Sequence, residues 1–242
     1  MSDPEQMRSF WDRKAEENPL WYVQSELEYS APDEDVFWSS GEEEVQRALA
    51  AAGVTGGGVA VDIGCGVGRL SRALATRYEN VLSFDVSPKM VELASTNLAA
   101  SGNVMVKAAT GDGTLEVPDR TADLVLSLQV FQHIPVRAAT LKYIAEAGRV
   151  LKSQGFFVFQ LRSLRTRDPF LGSLERGVRT VVDRVRRLRK PPPAVLDSPA
   201  WHGSRIGLWE IRRAAEWAGM RVVRIRWISK QGASLLVVCQ KS

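Results

Sequence analysis

Short, nearly continuous apolar runs alternate with longer segments of helical periodicity through the middle of the chain. The apolar runs are Val59–Ile63, Val81–Phe84, Val104–Ala108, Ala122–Leu128 and Phe156–Leu161. Runs of this length are typical of parallel strands that are buried on both faces. The segments between them place apolar residues every three to four positions, as amphipathic helices do. The pattern therefore predicts an α/β fold in which a mostly parallel sheet carries helices on both of its faces.

The regions on either side of this alternation have patterns of their own. A helix is predicted from Gly41 to Ala52, and Gly56-Gly57-Gly58 after it is predicted as a flexible break. Near the other end, a helix over Leu208–Ala218 precedes two strands, Arg221–Ile228 and Ser234–Cys239. The short connection between these two strands predicts an antiparallel hairpin.

These patterns divide the chain into four parts: a helical N-terminal segment over 1–40, an α/β core over 41–162, a basic helical insertion over 163–205, and a helix and hairpin over 206–242 that complete the sheet. The N-terminal segment is rich in aromatic residues, which are Phe10, Trp11, Trp21, Tyr22, Tyr29, Phe37 and Trp38. A segment with so little core of its own depends on packing against the rest of the molecule. It is either a lid across the mouth of a site or a prefix that covers one edge of the sheet.

The insertion carries an apolar stripe, at steps of three and four from Leu171 to Leu188, that is flanked by arginines. This spacing predicts an amphipathic helix over 171–190. Three roles are open: a cap whose apolar stripe packs over the site, an interfacial helix on an anionic membrane, or a track for a nucleic-acid backbone. We expect the cap, with the arginines in water.

Composition limits the class of protein further. The chain has 242 residues, of which 45% are hydrophobic, and a net charge of +4, which is ordinary for a globular protein. Cys65 and Cys239 lie far apart and fit no metal-ligand spacing, so we expect a reduced pair and no bound metal. The acidic N-terminal stretch is unlike a secretory signal, and no apolar run approaches the roughly 18 residues of a membrane span. We expect a cytoplasmic protein.

A glycine-dense turn follows the first core strand, with glycines at 64, 66 and 68. Such a turn lets a ligand approach the backbone closely, and the helix that it opens favours an anionic group. A phosphate-binding P-loop requires a lysine after the last glycine, whereas this chain has Arg69-Leu70. A dinucleotide fingerprint requires a third glycine where Arg69 stands. Neither pattern fits the turn.

The segment Val61–Gly68 resembles the first motif of class I S-adenosylmethionine-dependent methyltransferases, in which an acid precedes a series of alternating glycines. Four further segments resemble the later motifs of that family in the same order: Phe84–Met90, Gly111–Gly113, Asp123–Ile134 and Arg149–Phe156. The resemblance covers about residues 55–162 and the closing helix and hairpin. It implies a doubly wound, seven-stranded sheet in the order 3-2-1-4-5-7-6, with the last strand antiparallel, and S-adenosylmethionine as the cofactor.

The resemblance also implies a set of cofactor-binding residues. They are Asp62, Gly64, Cys65, Gly66, Gly68, Asp85, Val86, Met90, Asp112, Gly113, Leu128 and Gln129. In that set the glycine turn faces the methionine part of the cofactor, Val86 and Met90 pack on the adenine, and Leu128 and Gln129 lie beside the sulfonium. Cys65 serves as a small residue in a tight turn.

The three acids have more specific expected roles. Asp62 attracts the ammonium group of the cofactor or supports the turn. Asp85 follows Gly64 by 21 positions, close to the spacing at which an acid binds ribose hydroxyls in related folds. By resemblance, Asp112 accepts a hydrogen bond from the adenine amino group, and the amide of Gly113 faces a ring nitrogen. An ordinary turn acid is the alternative for Asp112.

Methyl transfer is an in-line displacement, so the main task of the protein is to align the cofactor with the acceptor. A base is needed only if the acceptor atom carries a proton. His133 is the candidate base because it follows the fourth strand at the edge where ligands bind; the alternative is a hydrogen bond to the backbone before Pro135. Trp11, Tyr22 and His202 are the other candidates for contact with the acceptor.

The sequence favours a small-molecule acceptor. No Asn-Pro-Pro-aromatic or Asp-Pro-Pro-aromatic signature of base-amine methylation follows the fourth strand, and we expect no nucleic-acid partner. One alternative is a methyltransferase for a lipid or membrane quinone that uses the helix at 171–190 at the membrane surface. A second alternative is a non-catalytic regulator that binds the cofactor. The oligomeric state is not predicted.

Overall fold

A computed structural model of the chain describes residues 3–162, 203, 206–228 and 234–242. The helix predicted over 171–190, the rest of the insertion and His202 lie outside the described residues. Among the residues that are described, no helix is both long and apolar enough to cross a bilayer.

The core of the molecule is a seven-stranded sheet in the order β3-β2-β1-β4-β5-β7-β6. Its strands are β1 (Gly57–Ile63), β2 (Tyr78–Asp85), β3 (Val104–Ala108), β4 (Ala122–Ser127), β5 (Leu151–Arg162), β6 (Met220–Trp227) and β7 (Ser234–Lys241). Neighbouring strands from β3 to β5 are parallel, and β7 runs antiparallel to both β5 and β6. The predicted fold class, strand order and antiparallel last strand are confirmed.

Seven α-helices accompany the sheet in the described part of the chain: α1 (Asp3–Glu17), α2 (Pro19–Val23), α3 (Glu34–Ala52), α4 (Arg69–Ala75), α5 (Pro88–Asn97), α6 (Arg137–Val150) and α7 (Leu208–Trp217). Their ends follow local chemistry. Asp33 caps α3 by accepting a hydrogen bond of 3.0 Å from the Val36 amide, and Gly53 ends it in the left-handed region, as glycine does at helix C-termini. Ser87 caps α5 through the Met90 amide at 3.1 Å.

Alternate residues of the central strands enter two separate cores, as the period of two in a strand requires. On one face, Val61 and Phe157 pack with residues of α6 and α7 such as Ile144 and Ile211. On the other face, the strand residues Ala60, Leu124 and Val158 pack with α3 and α4. The helices α1 and α2 join the first of these cores. The sheet is therefore covered on both faces.

Several predicted boundaries differ from the structure. The helix expected to begin at Gly41 begins at Glu34, because the Asp33 cap lies upstream, so the boundary drawn between residues 40 and 41 falls inside α3. Gly57 and Gly58 belong to β1 rather than to a flexible break; the carboxylate of Asp123 accepts a hydrogen bond from the Val59 amide and fastens this end of the strand. The fifth strand begins at Leu151 rather than after Gly155.

Candidate active site

A cavity opens at the carboxyl edge of the sheet, where β1, β2 and β4 end beneath α1 and α2. Its walls are mostly apolar with a few polar groups among them, as in sites for small organic ligands. Eight of the predicted cofactor-binding residues line it: Gly64, Cys65, Gly66, Asp85, Val86, Met90, Leu128 and Gln129. The structure thus brings together residues that are spread over three separate motifs of the sequence.

The glycine turn gives this cavity a wall of bare backbone. Gly64 and Gly66 have φ angles of 78° and 55°, a region that favours glycine. A Cβ atom on Gly64 would stand 2.3 Å from Val130, and one on Gly66 would stand 2.7 Å from Val23. Gly68 does not line the cavity; a Cβ atom there would stand 2.7 Å from Leu98. The third glycine therefore serves helix packing rather than the cavity.

Asp85 lies at the end of β2 and faces the glycine turn. Its Oδ2 accepts a hydrogen bond of 2.8 Å from the Gly66 amide, and its Oδ1 accepts one of 2.9 Å from the Ser87 amide. The side chain is buried, and desolvation raises the pKa of Asp85 to about 6. An ionised carboxylate has about four acceptor positions, so two remain for a ligand.

Asp62 lies below the cavity and does not line it. The side chain is fully buried and accepts a hydrogen bond of 2.6 Å from the Ser71 hydroxyl, which in turn accepts one of 2.9 Å from Ser83. The other oxygen of Asp62 has no hydrogen-bond partner in the described part of the chain, and burial raises the pKa of this carboxyl to about 6. Of the two roles expected for Asp62, support of the turn is the one that fits this position.

The third predicted acid, Asp112, is exposed and lies outside the cavity. Its Oδ1 accepts hydrogen bonds from the Thr110 hydroxyl and the Thr114 amide, and its Oδ2 accepts from the Thr114 hydroxyl and Lys142 Nζ. These four bonds, led by the one from Lys142, hold the pKa of Asp112 well below its usual range. Because they occupy all of its acceptor positions, the expected adenine role of Asp112 finds no support here.

Gly113 is also outside the cavity. A Cβ atom at this position would stand 2.6 Å from the Ala139 carbonyl oxygen and 2.7 Å from the Cβ of Lys142. The glycine thus lets its loop pack closely on α6, which differs from the expected amide contact with adenine. On this side the cavity is instead lined by Ala109, which comes directly after β3.

The N-terminal helices cover the cavity. Trp11 and Tyr22, two of the predicted acceptor contacts, line it together with Met7 and Val23. The hydroxyl of Tyr22 donates a hydrogen bond of 2.8 Å to Glu17, which ties the two helices to each other. The helices α1 and α2 therefore form part of the cavity wall, and we propose that they act as its lid.

His133, the candidate base, lines the cavity at the end of a short 3-10 turn over Phe131–His133. Its ring packs edge-on against Trp11, with the ring centroids 5.3 Å apart. Its Nε2 lies 3.1 Å from the side-chain nitrogen of Gln132, and its backbone amide donates to the Val130 carbonyl. The backbone thus fixes the turn, and the imidazole ring is part of the cavity wall.

Sequence reasoning missed a buried arginine at the rim. Arg69 lines the cavity and is only 2% exposed. Its guanidinium donates hydrogen bonds to Glu44 at 2.9 Å and Ser40 at 3.0 Å, while its Nε has no hydrogen-bond partner among the described residues. Gln129 also donates to Glu44, at 3.2 Å. The position of Arg69, immediately after the glycine turn, was the available signal for this contact.

Tyr143 on α6 is a second missed wall residue. It lines the cavity and stacks on Phe131, with centroids 5.9 Å apart. Burial, with smaller contributions from Asp85 and Asp112, raises the pKa of its hydroxyl. In the sequence Tyr143 occupies the apolar side of a helix, and nothing in that pattern separates a wall residue from a core residue.

Residues 61–159 match the family model described as "Methyltransferase domain". The sheet order is that of class I methyltransferases. This match and the sheet order support the predicted family, the class I S-adenosylmethionine-dependent methyltransferases. S-adenosylmethionine is the cofactor of that class.

Individual relatives agree with this class. The chain is 32% identical over 146 residues to a ubiquinone biosynthesis O-methyltransferase of Sinorhizobium fredii, covering 54% of this chain and 56% of the relative. Its fold resembles a SAM-dependent methyltransferase of Leishmania major, with a TM-score of 0.67, 16% identity and coverage of 99% and 83%. It also resembles the magnesium protoporphyrin IX methyltransferase of Synechocystis PCC 6803, solved with bound SAH, with a TM-score of 0.57, 22% identity and coverage of 85% and 83%.

The match with the curated relatives is partial. It spans about half of their length, and the solved structures are too distant in sequence to carry more than the fold. The acceptor therefore has to be argued from the residues of this chain.

Proposed function

We propose that this protein transfers a methyl group from S-adenosylmethionine to a small-molecule acceptor. The observation that carries the proposal is the juxtaposition of Asp85 and the Gly64–Gly66 turn in one cavity of a methyltransferase domain. The Gly66 amide donates a hydrogen bond of 2.8 Å to the Asp85 carboxylate. One cavity therefore presents bare backbone on one side and an acid on the other.

The residues present fit this cofactor. Asp85 keeps two acceptor positions, which match the two hydroxyls of a ribose. Val86 and Met90 offer apolar surface next to it for a purine. The turn has no Cβ atoms at positions 64 and 66, so the methionine part of the cofactor can lie against it. The cationic Arg69 at the same rim suits the carboxylate of that methionine part.

When bound, S-adenosylmethionine supplies a methyl group on a positively charged sulfur, already activated for transfer. The protein has to hold the acceptor in line and to keep water away. Trp11, Tyr22 and Val23 cover the cavity from the lid side. Leu128 and Val130 add apolar wall at the end of β4. An acceptor bound among these residues is oriented mainly by shape.

For an acceptor that carries a proton on the reacting atom, His133 takes the role of base. Its ring belongs to the cavity wall, and its contact with Trp11 fixes the plane of the imidazole. A base in this position contributes roughly 10²–10⁴-fold to the rate. His133→Ala should lower turnover by about that factor and leave the affinity for the cofactor unchanged. An unchanged rate would remove His133 from the mechanism.

Calorimetry with S-adenosylmethionine tests the cofactor half of the proposal. Asp85→Ala should weaken binding about 100-fold, since two hydrogen bonds to a charged group are lost. Glu79→Ala is the matched control, because Glu79 is an exposed acid on the same strand at the opposite edge of the sheet. Equal affinity of wild type and Asp85→Ala would contradict the proposed site.

Incubation with methyl-labelled S-adenosylmethionine and fractionated small-molecule extracts tests the transfer half. Label in an extractable product supports a methyltransferase and identifies the acceptor. Cofactor binding without a labelled product in any extract would favour the regulator that only binds the cofactor. We place the reaction in the cytoplasm, and the free, buried thiols of Cys65 and Cys239 agree with a reducing compartment.

A further inference from the structure

The outer face of α7 exposes large aromatic side chains that the fold does not use. Trp209 is 65% exposed and Trp217 is 77% exposed, the two most exposed large hydrophobic residues among those described. The helix is anchored from its other side, where Ile211 and Ala215 are buried. Exposed tryptophans of this kind mark an interaction surface rather than part of a core.

These tryptophans form one stripe with an arginine between them. Trp209, Arg213 and Trp217 are spaced by four, so they lie on one side of the helix. The guanidinium of Arg213 lies 4.7 Å from the centroid of the Trp217 ring, a cation–π contact that holds both side chains outward. We call Leu208, Trp209, Arg212, Arg213, Glu216 and Trp217 the α7 surface.

The α7 surface is positively charged. Arg212 and Arg213 are exposed on it, whereas Glu216 is its one exposed acid. The other acid of the helix, Glu210, is occupied by an ion pair with Arg137 and by the Gly207 amide. The surface thus combines cationic groups with amphipathic aromatic rings.

We propose that the α7 surface docks on an anionic lipid membrane. Indole rings prefer the level of the lipid headgroups, where one end is apolar and the other is wet. Arginines on the same face bind the phosphates of anionic lipids. A second copy of the chain fits this surface less well, because two α7 surfaces facing each other would bring the like charges of Arg212 and Arg213 together.

The position of this surface links it to the cavity without depending on the proposed function. The ion pair between Arg137 and Glu210 ties the start of α7 to the start of α6. The helix α6 follows the turn that carries His133. Docking through α7 would therefore place the bilayer on the α6 and α7 side of the sheet, the side on which α6 follows the His133 turn.

Flotation of the full chain with lipid vesicles tests this proposal. Wild type should float with vesicles of phosphatidylcholine and phosphatidylglycerol, less so at high salt, and should stay behind with phosphatidylcholine alone. The double variant Arg212→Gln, Arg213→Gln should lower the partitioning of the protein onto anionic vesicles about 30-fold. The double variant Trp209→Ser, Trp217→Ser should abolish flotation. The matched control is Met105→Ser with Lys107→Gln, an exposed pair on β3 at the opposite edge of the sheet, which should float as wild type does.

Three results would overturn the proposal. They are the absence of wild-type flotation, equal flotation of the α7 variants, and a dimer in light scattering that the tryptophan variant dissociates. The last result would assign the α7 surface to a second copy. Because none of these measurements uses the cofactor, their outcome is independent of the methyltransferase assay.

Discussion

Asp12 on the lid helix α1 accepts a hydrogen bond of 2.5 Å from the hydroxyl of Ser87, the residue that caps α5. The same Asp12 oxygen accepts a second bond, of 3.2 Å, from the Lys89 amide. Because Ser87 also donates its amide to Asp85, the lid is fastened two residues from the acid proposed to bind the cofactor. Lid position and cofactor binding should therefore be coupled.

Replacing Asp12 should loosen the lid and weaken cofactor binding together. Asp12→Ala removes two hydrogen bonds to a charged group, and we expect about a tenfold loss of affinity with faster proteolysis within residues 3–17. Calorimetry and limited digestion measure the two effects. Asp12→Asn keeps an oxygen acceptor and should recover most of the affinity. An Asp12→Ala variant with wild-type affinity and a slow digestion rate would show that the lid does not depend on this bond.

Cofactor binding should weaken as the pH falls through about 6. The free protein has a pKa of about 6 for Asp85, raised by burial, and only the ionised form accepts both ribose hydroxyls. Below that pH the proton competes with the ligand, so Kd should rise by up to about tenfold per pH unit. Titrations from pH 5 to pH 8 measure the slope. Asp85→Asn should bind weakly with a flat profile; a slope retained in this variant would assign the titration to another group.

Asp62→Asn should stabilise the protein at pH 7. Burial raises the pKa of Asp62 from its ordinary 3.8 to about 6, so the native state binds more protons than the unfolded chain in that window and stability falls as pH rises through it. The neutral amide of asparagine avoids this loss of stability, which amounts to at most ~3 kcal/mol. Its oxygen can still accept the hydrogen bond from the Ser71 hydroxyl. Denaturant melts of both proteins should coincide below about pH 4, diverge as the pH rises from about 4 to about 6, and differ by a constant amount above that. A variant less stable than wild type at pH 7 would contradict the burial argument.

Asp112→Asn should leave cofactor affinity within about twofold of wild type, because its four acceptor positions are already used by the protein. Its main effect should be on the Lys142 contact, an exposed ion pair of the kind that contributes at most ~1 kcal/mol to stability. Calorimetry decides between this expectation and the adenine role implied by the family resemblance. A large loss of affinity would show that Asp112 turns toward the ligand when the cofactor binds.

Gly66→Ala should destabilise the lid by steric conflict. The new Cβ would stand 2.7 Å from Val23, and residue 66 has a φ of 55°. The free energy of unfolding should therefore fall by about 2–4 kcal/mol, from backbone strain and overpacking together. Gly102→Ala is the matched control, since Gly102 has a φ of 70° and no atom within 4 Å of a new Cβ. Thermal melts compare the two. Adding Val23→Ala should recover the steric part; no recovery would attribute the whole loss to the backbone.

The order of elements could be predicted from the sequence because parallel strands buried on both faces leave continuous apolar runs. Local signals also located the glycine turn and Asp85, since each follows a strand end directly. Other details of the structure depend on partners distant in the chain. Gly58 belongs to β1, where the amide of its neighbour Val59 donates a hydrogen bond to the carboxylate of Asp123. The carboxylate of Asp112 accepts a hydrogen bond from Lys142, thirty positions away.

Residues of the cavity wall were harder to predict than residues of the motifs. Tyr143 is buried on α6 like its core neighbour Ile144, and its contacts with Phe131 and the cavity come from packing between segments. Arg69 stands in the motif itself, yet its role depends on Glu44 from a helix that precedes the first strand. A pattern along one segment carries no information about such contacts between segments.

The insertion of β7 between β5 and β6 has a consequence for synthesis of the protein. Among the seven strands β7 comes last in chain order, so it becomes available only after β5 and β6 have been translated. Until then β5 has an unpaired edge next to Phe157 and Phe159, and unpaired edges invite pairing with other chains. The nascent chain should accordingly require protection by chaperones at this edge until β7 has been translated and has paired with β5.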